Sequence, residues 1–104
     1  MLLLRTRAYR CDITEALRNE TPLPNARLEA LRTFTLSVVR NRGHADEGTV
    51  QAFLDAGFTQ RQILEVILGI SMKVMSNYTN HLAHTPVDGV FAKYTWAPVD
   101  RAAA

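Results

Sequence analysis

From Thr59 to His84 the chain reads as one amphipathic helix, and an element that long constrains everything else a 104-residue sequence can build. Thr59 and Gln62 have the spacing of a capping box, and Phe58 is placed to staple onto Ile63 across it. The expected helix runs from Gln60 to about Leu82. At 100° per residue, Gln62, Glu65, Gly69, Lys73, Ser76, Asn77, Asn80 and His84 share a sector of about a third of the wheel. Ile63, Leu64, Ile67, Leu68, Ile70, Val74, Met75, Tyr78 and Leu82 cover most of the rest. So broad an apolar surface marks a central helix touched on several sides. Few other elements are left to touch it, which implies contacts with further subunits.

The remaining segments are also helical in period. Asp12 to Asn19 reads as a short helix capped by Asp12, with Glu15 reaching back, and Thr21-Pro22-Leu23-Pro24 stops it. Asn25 caps a second helix from Ala26 to Arg42, in which Leu28, Leu31, Thr35, Val38 and Arg42 keep the three/four spacing. Phe34 and Val39 widen that stripe, and Gly43 ends it. A third helix begins near Asp46, buries Val50, Phe53 and Leu54, and ends at Gly57. One further turn is expected around residues 90–94, with Trp96 tucked against the body or a neighbouring subunit. No segment alternates with period two, so the expected fold is all-α, in a single domain spanning residues 1–104.

Composition sets limits on function. With 47% apolar and 21% charged residues the chain has the balance of a soluble globular domain rather than a disordered one. A net charge of +2 is too small to imply nucleic acid. The arginines at 5, 7, 10, 18, 27 and 32 make the first third basic, yet no nucleic-acid motif accompanies them and solvated helix faces explain them. No apolar run reaches the ~20 residues of a membrane span. Arg5 and Arg7 interrupt the opening leucines before the ~7–15-residue apolar core of a secretory signal. A cytoplasmic address follows as the default. The single cysteine, Cys11, allows no internal disulfide, and no Cys/His grouping has zinc spacing. The reading calls for no cofactor and no metal.

The polar sector of the long helix admits three readings: a solvated face, a structural polar network, or a groove that meets substrate or another subunit. Serine and asparagine are poor formers for a solvated helix, where Lys, Glu and Gln serve better. His81 and His84 lie one turn apart and share a neighbourhood, but Glu65 is some four turns from His81, too far for one coordination sphere. His44 follows a helix-ending glycine and reads as solvated.

The segment EVILGISMKVMSNYTNHLAH places Asn77, Asn80 and His84 at intervals of three and four, twelve residues after Glu65. This resembles the Glu…Cys-x-x-Cys-x-x-x-His helix of the alkylhydroperoxidase D / carboxymuconolactone decarboxylase family, with asparagine at both cysteine positions. The similarity extends over roughly Asp12 to Trp96, through ALRNETPLPNARLEALRTFTLSVVRNRG and the closing aromatic tail. It is to the C-terminal portion of longer, two-segment members, in which a Cys-x-x-Cys-x-x-x-His helix precedes such a region. A shortened relative, a degenerate paralogue and a reading frame opened at an internal methionine all fit that pattern. The resemblance implies an alkylhydroperoxidase D-like helical bundle with one long central helix. It makes Glu65 and His84 the relay pair, and Asn77 and Asn80 the degenerate redox positions.

Two functions follow. The first is a homologue of the antioxidant peroxidases without its own thiol cycle, acting as an oligomeric non-peroxidase or accessory domain. It would assemble with itself or complete a cysteine-bearing family partner. The alternative is a cysteine-independent decarboxylase acting on a small carboxylated lactone. Glu65 would then move a proton, assisted by His81 or His84, while Lys73 or Arg61 holds a carboxylate.

Overall fold

The computed structural model describes residues 2–95; Trp96 lies outside them. The described residues are all-α: α1 (Leu2–Arg18), α2 (Ala26–Arg40), α3 (Glu47–Asp55), α4 (Gln60–Ala83) and a 3-10 segment (Gly89–Tyr94), with no strand. No helix among them is long and apolar enough to cross a membrane. The chain divides into two compact units, at Ile70 and Ser71 within α4.

In the first unit the helices start where side chains can satisfy free amides. Asn25 accepts from the Leu28 N–H at 3.0 Å, and Asp46 from the Thr49 N–H at 2.7 Å. The bond from Thr49 holds the Asp46 carboxyl below the usual range. Helix α1 departs from expectation by beginning at Leu2, so Asp12 lies inside it and caps nothing. Nothing between Leu2 and Cys11 breaks a helix, and Leu, Arg and Ala all favour one. Glu15 pairs instead with Arg18 at 3.6 Å.

Helix α2 ends two residues earlier than expected. Arg42 takes φ +54° and donates its N–H to the Val39 carbonyl at 3.4 Å, while Gly43 donates to Val38 at 2.8 Å. Two bonds of this kind make a Schellman closure, with arginine at the left-handed position that glycine usually fills. Replacing Arg42 by glycine is therefore expected to stabilise the chain by roughly 0.5–1 kcal/mol, because the left-handed penalty of a side chain disappears. An unchanged or lower urea midpoint for Arg42→Gly would count against this.

The core is small and aromatic. Phe34 on α2 and Phe53 on α3 are 2% and 1% exposed, with ring centroids 4.3 Å apart. Phe58 stacks on the far face of Phe53 at 4.4 Å, and the Arg27 guanidinium lies 4.6 Å from the centre of the Phe58 ring. The residue assigned by its spacing to Ile63 thus spends a ring face on the core. Val50 and Leu54 are half-buried, while Val39 stands exposed.

The second unit begins with the remainder of α4. Every residue from Ser71 to Ala83 is exposed. His84 closes the helix at φ +52°, and the 3-10 segment follows where a helical turn was expected.

The length of α4 agrees with the sequence; its enclosure does not. No residue of α4 is buried, and only Gln62, Ile63, Val66 and Ile70 are half-buried among its 24 residues. A helix surrounded by the chain's own shorter helices is not what these exposures describe.

Candidate functional site

Helix α4 carries Glu65, Asn77, Asn80 and His81, and His84 follows directly at its end. Its start is the expected capping box: the Thr59 N–H donates to Gln62 Oε1 at 2.8 Å, and the Gln62 N–H to Thr59 Oγ1 at 3.3 Å. This fixes where the helix begins and so the angular position of each side chain along it.

In the first unit Glu65 accepts an ion pair from Arg61 at 3.6 Å, with the two side chains 58% and 88% exposed. Solvent screens such a pair strongly, so it contributes little to stability. In the second unit Asn77, Asn80, His81 and His84 are all exposed. No hydrogen bond among the described residues involves their side chains. His84 occupies a left-handed backbone position, one that histidine tolerates better than most residues with a Cβ. Of the three sequence readings for this sector, exposure fits a solvated face or one that awaits another molecule; the internal polar network has no bonds to support it.

Among the described residues, no three His, Cys, Asp or Glu side chains stand together as metal ligands would. Cys11 is exposed on α1. Two concavities of about 500 and 460 Å3 lie in the first unit. One is lined by Glu20, Arg32, Leu36, Arg40 and Asn41, the other by Glu29, Phe34, Asp46 and Thr49. Neither includes Glu65 or a histidine.

The sequence reading missed an ionic cluster at the start of α2. The Glu29 carboxylate accepts from Arg32 Nη2 at 2.6 Å and Nε at 2.8 Å, and from the Leu23 backbone N–H at 2.6 Å. The Arg32 hydrogen bonds, then the Leu23 amide, lower its pKa from 4.5 to about 2. The i, i+3 pairing of Glu29 with Arg32 was visible in the sequence. The capture of Leu23 was not, because it depends on how the chain returns between Pro22 and Pro24. The cluster ties that turn to α2 and has the character of a structural clasp.

No protein-family model matches the sequence, and no curated protein matches it either.

Proposed function

We propose that this chain is an alkylhydroperoxidase D / carboxymuconolactone decarboxylase-type homologue without a thiol cycle, working through association rather than turnover. The observation that carries the reading is the make-up of α4. Glu65, Asn77 and Asn80 keep the spacing described above, with His84 at the helix end, and amides stand at both thiol positions. Peroxide reduction by this route needs a thiolate that attacks the peroxide oxygen and a second thiol that closes the disulfide. An asparagine amide does neither. Cys11 is a single thiol, so a sulfenic acid formed there has no resolving partner within the chain. The apolar side of the same helix is exposed, which suits an assembly element. The partner is a further copy or a cysteine-bearing relative. Nothing about Glu65, paired with Arg61 on an open surface, favours the lactone acid/base alternative.

The test supplies an organic hydroperoxide and a dithiol reductant to the purified chain. Wild type is expected to consume peroxide no faster than Cys11→Ser. The double variant Asn77→Cys/Asn80→Cys is expected to gain turnover, since positions three apart on a helix bring Cβ atoms to about 5–6 Å, near disulfide range. Wild-type turnover that Cys11→Ser abolishes would overturn the non-peroxidatic reading. A double variant that forms its disulfide yet never turns over would remove Glu65 and His84 from the relay roles.

A further inference from the structure

Helix α1 closes in the same way as α2, and again without glycine. Glu20 takes φ +57°; its N–H donates to the Leu17 carbonyl at 3.3 Å, and the Thr21 N–H donates to the Ala16 carbonyl at 2.9 Å. The turn by itself favours glycine at such a position, because a Cβ makes the left-handed backbone costly. What glutamate adds is a carboxylate lining the concavity of about 500 Å3 in the first unit. That volume falls within the ~300–1,000 Å3 of small-molecule sites.

The charges around this concavity are divided between two ends. At one end Arg32 is gripped by Glu29 through bonds of 2.6 and 2.8 Å. Its pKa is raised, first by those bonds and then by the charges of Glu29 and Glu20, against a cost in desolvation. With Arg32 answered by Glu29, Glu20 sets the sign at this end. At the other end stands Arg40, and among the described residues no hydrogen bond or ion pair engages its guanidinium. Ser37 and Asn41 share that end. Ser37 Oγ accepts a long bond from Asn41 Nδ2 at 3.4 Å, which leaves the hydroxyl proton to donate. Leu36, half-buried, lies one helical turn from Arg32 and one from Arg40, so an apolar surface separates the two ends.

We propose that this concavity binds a linear zwitterion, an ω-amino acid, with its carboxylate in the fork of Arg40, its ammonium at Glu20 and its methylene chain over Leu36. A guanidinium meets both oxygens of a carboxylate at once, and Ser37 supplies a further donor. An anion alone would also meet Glu20, and a cation alone would also meet Arg40. Spacing selects the length. Eight residues set Arg32 and Arg40 about 12 Å apart along α2, and a long side chain leans back toward the helix N-terminus, which leaves on the order of 7 Å between the charges. The charges of an α-amino acid lie only about 2.5 Å apart, whereas a chain of about five or six carbons covers the gap. The concavity includes no residue of α4, so this binding and the association reading stand or fall separately.

The probe is 6-aminohexanoate, titrated into the full chain and followed by backbone amide NMR shifts. Saturable shifts are expected at Glu20, Leu36, Ser37 and Asn41, with a Kd on the order of millimolar because both charged groups are exposed. Hexanoate, hexylammonium and glycine lack one charge or the separation, and each is expected to bind at least about tenfold more weakly. Arg40→Gln and Glu20→Gln are each expected to weaken 6-aminohexanoate about tenfold, with the circular dichroism of wild type. Glu20→Gly separates ligand from fold. It relieves the left-handed backbone, so the urea midpoint should rise while binding weakens as much as in Glu20→Gln. An absence of saturable shifts, equal binding of hexanoate, hexylammonium or glycine, or unchanged affinity in Arg40→Gln or Glu20→Gln would each overturn the proposal.

Discussion

Phe53→Ala is expected to cost about 3–5 kcal/mol, a large part of the stability of a domain this size, and to lower the urea midpoint steeply. Phe53 is 1% exposed and fills the space between two rings, Phe34 at 4.3 Å and Phe58 at 4.4 Å. Truncation removes the apolar area of a whole ring and the stacking on both its faces, each worth about 0.5–1.5 kcal/mol beyond the area. It also opens a cavity at the contact between α2 and α3. A domain of this size has a total stability on the order of 5–15 kcal/mol, and only Leu23, Phe34 and Phe53 are buried apolar residues among those described. Few other contacts can absorb the loss. Phe53→Leu keeps most of the volume and is expected to lose less than half as much. Phe58→Ala should also cost less, since that ring is only half-buried. Urea unfolding followed by circular dichroism measures all three. A wild-type midpoint for Phe53→Ala would mean that the core lies elsewhere.

What the sequence made legible follows from how local each signal is. Asn25, Asp46 and the Thr59–Gln62 box each act within three residues, and all three appear at the expected helix starts. Gly57 takes φ +102° where the third helix was expected to stop. Asp12 misled for a related reason. A residue that caps well also sits inside a helix when nothing upstream breaks it, and Leu2 to Cys11 contains no breaker. Phe58 marks the limit of local signals: its spacing to Ile63 is a local rule, while its stacking on Phe53 is set by the return of the chain.

Periodicity located the two sides of α4 but could not say which was covered. It registers apolar residues, and a side buried by the same chain looks like one reserved for another. Coverage is decided by what lies across from Leu64, Met75 and Leu82, and among the described residues all three stand exposed. The candidate site shares that ambiguity. Glu65, Asn77, Asn80 and His84 were legible as positions on a helix, whereas their environment depends on long-range contacts that local spacing does not encode. Trp96, expected to tuck against the body or a neighbour, lies beyond the described residues.

Acid is expected to loosen the chain through Glu29. In the folded chain the Arg32 guanidinium and the Leu23 amide hold its pKa at about 2, against an ordinary 4.5. A carboxylate depressed by folding contributes stability that is fully present above its unfolded pKa. That contribution drains away as pH falls through the window between 4.5 and about 2, because the unfolded chain takes up the proton first. Glu29→Gln keeps the shape and an acceptor for the Leu23 N–H but removes the charge that Arg32 grips. The variant should be less stable than wild type at neutral pH, with the difference narrowing steadily below pH 4.5. Asp46, also held low by its bond from Thr49, leaves a residual acid slope that Asp46→Asn should reduce in turn. Urea midpoints of wild type and Glu29→Gln at pH 7, 4.5, 3 and 2 read the effect. A gap between the two that stays constant across the window would show that the clasp works through shape alone, with no contribution from the charge.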